Sequence, residues 1–101
     1  MLAATINAMK KHSESQENRL KRLRFRSWHR GTREMDLLLG RFADAHLEGL
    51  SDVELDLFEA VLGQADQDLY GWVTGERPWP TSLNNDLTRQ LTAFTQRPKT
   101  A

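Results

Sequence analysis

Apolar residues in this chain recur at three- and four-residue intervals in short segments, and glycine or proline interrupts each segment before it lengthens. That spacing lines apolar side chains along one side of a helix, and no stretch sustains the alternation of two that a half-buried strand requires. The strongest stripe is Met35, Leu38, Leu39, Phe42 and His46, within a helix expected over about 32–47. Four further helices are expected over about 17–29, 52–62, 66–73 and 84–95, each with its own apolar side. At 101 residues, the length suffices for one small core. The expected fold is therefore all-α, a small single-domain five-helix bundle.

Local chemistry fixes several ends. Ser51 followed by Glu54 reads as a capping box, with Leu50 and Leu55 spaced as its hydrophobic staple. Gly49, Gly63 and Gly75 mark stops, and Pro78-Trp79-Pro80 forces a bend whose tryptophan reads as a partner contact or a lid on the core, the lid being favoured. In helix 17–29, Leu20, Phe25 and Trp28 fall on the apolar side and are expected to anchor it. Residues 1–17 read as a flexible extension, 18–96 as the bundle and 97–101 as a frayed tail.

The chemical inventory points away from catalysis. There is no cysteine, which excludes thiolate nucleophiles, thiolate metal ligands and disulfides. His12, His29 and His46 stand too far apart for an established ligand spacing, so no metal site is expected. His46, on the stripe, reads as a core-edge residue bonded through one ring nitrogen. No serine sits in a nucleophile elbow, and no glycine-rich loop precedes a Lys-Ser/Thr pair. Asp66 and Asp68 lie at a helix start, where capping accounts for them. No apolar run approaches the ~20 residues that span a bilayer, so no membrane partner is expected. The expectation is a protein that is not an enzyme, with no catalytic residues.

Charge is unevenly spread. Residues 1–34 carry nine Lys/Arg against three Glu, and residues 35–101 carry five against eleven Asp/Glu, so a net charge of zero hides halves of +6 and −6. Arg19, Arg22, Arg26, Arg30 and Arg33 fall along one side of the first helix and its exit. That stripe admits three readings: a solvated face, a protein-docking ridge and a phosphate track. The last, with the interleaved aromatics of residues 21–30, underlies one alternative function: a nucleic-acid-binding or antitoxin-like regulatory module using the basic first helix.

Two arginines and two carboxylates crowd around one glycine in Arg30-Gly31-Thr32-Arg33-Glu34-Met35-Asp36, at the junction of the first two helices. Exposed ion pairs contribute only ~0–1 kcal/mol, so stability alone gives little reason to assemble them. Gly31 permits close backbone approach. A docking site for another protein is the favoured reading, with Arg30, Gly31, Arg33, Glu34 and Asp36 as partner-binding residues.

This turn resembles the Arg-Gly-x-x-Glu signature of the SdhE-type succinate dehydrogenase assembly factors, the flavinylation chaperones of bacteria and mitochondria. The likeness continues through Leu38-Leu39 and Phe42, then Leu50-Ser51-Asp52-Val53-Glu54 with Phe58 and Leu62, and Asp66-Gln67-Asp68-Leu69-Tyr70-Gly71-Trp72. The resemblance implies a five-helix bundle that binds the flavoprotein subunit of succinate dehydrogenase, in some cases fumarate reductase, and promotes covalent attachment of FAD to a histidine there. Arg30, Gly31 and Glu34 match the signature, with Asp36 beside them. It implies no firmly bound cofactor, since FAD joins the partner. A monomer when free and no nucleic-acid partner are the expectations, with the oligomeric state left open by the sequence. The arginine-free stretch 1–17 favours a bacterial cytoplasmic location over the mitochondrial matrix.

Overall fold

The computed structural model describes residues 14–96, and among these every regular element is helical. Helix α1 is Gln16–Trp28, α2 Arg33–His46, α3 Asp52–Leu62, α4 Asp66–Val73 and α5 Asp86–Thr95. Single 3₁₀ turns, Leu47–Gly49 and Thr81–Leu83, join α2 to α3 and lead into α5. The expected five-helix, all-α bundle is the observed architecture. Residues 1–13 and 97–101, which hold the frayed tail and most of the expected extension, lie outside the described residues. At 14–17 the chain is already engaged: Ser15 caps α1 by accepting from the Asn18 N–H at 3.1 Å, and Glu14 accepts from Arg22.

Helix α2 forms the centre and packs on α1, α4 and α5. Its Met35, Leu39, Phe42 and Ala43 are buried, and the Phe42 ring lies 5.6 Å from both Phe58 of α3 and Phe94 of α5. Such aromatic contacts add to the area that the rings bury. His46, one turn further along, packs against Phe42 and Phe94 at ring distances of 4.8 and 5.3 Å. It sits at the core edge as expected, but among the described residues packing, and no ring-nitrogen hydrogen bond, accounts for its placement. The capping box forms in full, Glu54 N–H to Ser51 Oγ at 3.1 Å and Ser51 N–H to Glu54 Oε1 at 2.9 Å, and Leu50 and Leu55 both join the core. A second box, Asn85 with Thr88, starts α5. Trp79 packs on the core beside Trp72 and donates its indole N–H to Thr92 Oγ1 at 2.8 Å, the expected lid.

Helix α1 is rotated from the expected phase. Leu23 and Ser27 face inward with no exposure, whereas Phe25 is 62% exposed and stacks on His29 at 3.9 Å. Ser27 tolerates burial because its hydroxyl donates to the Leu23 carbonyl at 2.8 Å. Trp28 anchors in a different way, half-buried against the backbone of α2. A Cβ on Gly40 would stand 2.3 Å from its ring, so only glycine admits this contact. Its indole N–H donates to Asp44 at 3.2 Å.

Candidate functional site

The α1–α2 turn is built by three residues with separate tasks. Gly31 has φ +110°, a region that side-chain-bearing residues rarely enter, and a Cβ there would meet nothing within 4 Å. Thr32 is the N-cap of α2, accepting from the Met35 N–H at 3.2 Å. Arg30 turns back into the protein. Its Nε donates to Asp66 Oδ1 at 2.9 Å, Nη1 to the Leu62 carbonyl at 2.5 Å and Nη2 to the Gln64 carbonyl at 2.8 Å. Asp36 closes the turn from the other side by accepting from the Arg30 N–H at 2.6 Å.

The five residues singled out from sequence thus share one turn but divide by direction. The Arg30 side chain is only 10% exposed and Asp36 is half-buried, while Gly31, Arg33 and Glu34 are exposed. Arg30 ties the α1–α2 turn to the α3–α4 turn, satisfying carbonyls left open where α3 ends. Asp66 serves as its counter-ion and not as a cap; the N-cap of α4 is Ala65, which makes no side-chain bond. Glu34 accepts from the Tyr70 hydroxyl of α4 at 3.2 Å. This hydrogen bond and the nearby carboxylate hold the Tyr70 phenol above its ordinary pKa. Arg33 makes no ion pair among the described residues. Sequence reasoning did not connect Tyr70 to this site, since nothing in linear spacing relates α4 to the start of α2.

The part of the arginine stripe that lies on α1 is also committed inward. Arg19 pairs with Asp56 and Glu59 of α3 at 2.6 and 3.2 Å, and Arg22 with Glu14 and Glu59 at 2.8 and 2.9 Å. Arg24 meets Asp44 at 3.3 Å, on another side of α1. The oppositely charged halves of the sequence therefore neutralise each other across helix contacts. A polar cleft of about 470 Å³ between α1 and α3 is lined by these same pairs, so its arginines already hold carboxylates. A phosphate track needs uncommitted cations along one face, and this face does not offer them. Among the described residues no cluster of three or more His, Asp or Glu could hold a metal ion, and no helix is long and apolar enough to cross a membrane.

A family described as flavinator of succinate dehydrogenase, Sdh5, matches residues 21–95, which contain the whole turn and all but the first turn of the bundle. The chain belongs to this family. Among its relatives, the mitochondrial succinate dehydrogenase assembly factor 2 of Meyerozyma guilliermondii is 44% identical over 69 residues, covering 68% of this chain and 51% of that protein. The protein of the same name from Candida glabrata is 35% identical over 90% of this chain and 62% of its own length. The FAD assembly factor SdhE of Acetobacter pasteurianus is 36% identical over 72% of this chain and 67% of its own length. The matches span about half the length of the mitochondrial relatives, 51% and 62% in these two fungi. The expected bacterial cytoplasmic location is overturned, because these fungal relatives of the flavinator family are named as mitochondrial. That expectation rested on the composition of residues 1–17. The match covers only part of each of these relatives, so this stretch carries no information on compartment.

Proposed function

We propose that the chain is an assembly factor that binds the flavoprotein subunit of succinate dehydrogenase and promotes covalent attachment of FAD to it. Family membership supports the client, and one structural observation supports the docking surface. Gly31, Arg33 and Glu34 project outward from a turn whose own backbone is fixed by Arg30 and Asp36. A rigid presentation of exposed charges lowers the ordering cost of binding. The chaperone supplies no reacting group. Covalent attachment requires the flavin ring and the accepting histidine in one geometry, and docking that restrains the client raises the population of that geometry. FAD stays with the client, and the free chaperone is a monomer.

The test is reconstitution with purified flavoprotein subunit and FAD, read as covalent flavin fluorescence on a denaturing gel. The chain is expected to increase the covalent fraction, and Arg33→Ala with Glu34→Ala to reduce that gain about tenfold, as for charged residues at an interface centre, without lowering thermal stability. Equal covalent flavin with and without the chain would overturn the reading.

A further inference from the structure

The docking surface does not end with α2. We infer that Tyr70 of α4 is a positioning residue for the client, holding the Glu34 carboxylate in the orientation in which it is presented. This deepens the proposed function and rests on it.

The Tyr70 hydroxyl donates to Glu34 Oε2 at 3.2 Å, across thirty-six residues of sequence, while its ring packs against the core. A glutamate in the first turn of a helix has three side-chain torsions and, exposed, would sample many of them. One hydrogen bond from a ring anchored in the core removes much of that freedom before the client arrives. Oε2 is thereby occupied, and among the described residues Oε1 has no hydrogen-bond partner. The client group that meets it is accordingly a donor, a cation or a backbone N–H. The two turns that carry Glu34 and Tyr70 are themselves tied together by Arg30, whose guanidinium spans from the start of α2 to Asp66, one helical turn before Tyr70. The raised phenol pKa is the equilibrium counterpart of this arrangement, because ionising Tyr70 would set two anions side by side.

Tyr70→Phe keeps the ring and removes only the hydroxyl. Binding to the purified flavoprotein subunit is measured for wild type, Tyr70→Phe, Glu34→Ala and the double variant, with melting temperature alongside. The expected result is about a three- to tenfold rise in Kd for Tyr70→Phe, an unchanged melting temperature, and no further loss when Tyr70→Phe is added to Glu34→Ala, which has no side-chain acceptor for the hydroxyl. Losses that simply multiply, or a Tyr70→Phe variant that binds like wild type, overturn the inference while leaving the proposed function standing. A wild-type chain that does not bind the subunit overturns both. The free protein gives an independent readout, because Tyr70 is the only tyrosine in the chain. Alkaline titration of its phenolate absorbance is expected to move to lower pH in Glu34→Gln, and an unmoved titration also overturns the pairing.

Discussion

Arg30 is the signature residue least available to a partner. Its guanidinium makes three hydrogen bonds to the α3–α4 turn and an ion pair with Asp66, and truncation would leave two carbonyls and a partly buried carboxylate without their donor. Hydrogen bonds to charged groups contribute about 1.5–3 kcal/mol each and share one loss here, so Arg30→Ala is expected to cost ~2–3 kcal/mol. For a domain of this size that lowers the melting temperature by roughly 10–20 °C. Arg30→Lys is expected to recover little, because an ammonium group cannot span a carboxylate and two carbonyls in one plane. Thermal denaturation by circular dichroism checks both, and a melting temperature within two or so degrees of wild type in Arg30→Ala would disprove the clamp. The turn itself was legible in the sequence, since glycine between opposed charges at a helix junction is a local pattern. The division of labour within it was not. Whether Arg30 faces out or in depends on the Leu62 and Gln64 carbonyls, which lie in no motif, and Asp66 read as a helix-start carboxylate because its partner is thirty-six residues away.

At the scale of elements, α1 and α2 meet through Trp28 and Gly40. A Cβ at 40 would overlap the indole, with contacts of 2.3–2.7 Å to ring atoms, so the ring must move. Gly40→Ala gains about 1 kcal/mol in helix propensity, while overpacking costs about 1–3 kcal/mol, giving a net loss up to ~2 kcal/mol. The same substitution in a Trp28→Leu background is expected to stabilise, because the obstacle is gone and the propensity gain remains. Urea denaturation of the four proteins checks the reversal of sign. Helix positions and types were largely readable because the apolar period, the stops and the Ser51–Glu54 box are local signals. The phase of α1 was not. Arg19, Arg22 and Arg26 share one side, as their spacing predicts, but Phe25, which helical spacing places on the apolar side, is exposed. The structure buries Ser27 in its place, a choice that turns on one backbone hydrogen bond and on the contact surface of α2. Trp28 in turn owes its seat to Gly40, a residue with no side chain to announce it.

Over the whole molecule, the segregation of charge along the sequence is a folding device more than a surface field. The +6 and −6 halves meet as α1 against α3, with Glu59 accepting from Arg22 and Arg19 and facing Arg26 at 3.9 Å. Folding commits Arg19, Arg22 and Arg26 of α1 to carboxylates, in contrast to exposed Arg33, which makes no ion pair among the described residues. It also sets the response to acid. The hydrogen bond from Arg22 is the largest cause holding both the Glu14 and Glu59 carboxyls below their ordinary value near 4.5. A carboxyl whose pKa is lower folded than unfolded contributes stability that is complete above the unfolded pKa and is lost as pH falls through the folded one. The melting temperature is therefore expected to be flat on this account from pH 8 to 6 and to decline below about pH 4.5 as these carboxylates protonate. Glu59→Gln removes the hub of the ladder. Partly exposed pairs contribute up to ~1 kcal/mol, so this variant is expected to melt about 4–8 °C lower at neutral pH. The difference from wild type should shrink as the pH falls below about 4.5 and wild-type Glu59 progressively protonates. Added salt should narrow it at neutral pH, since these side chains lie near solvent. Calorimetry of the two proteins across this pH range decides the matter: a gap that stays constant down to pH 3 would mean that Glu59 acts by packing, and that the sequence's charge asymmetry has no part in holding α1 to α3.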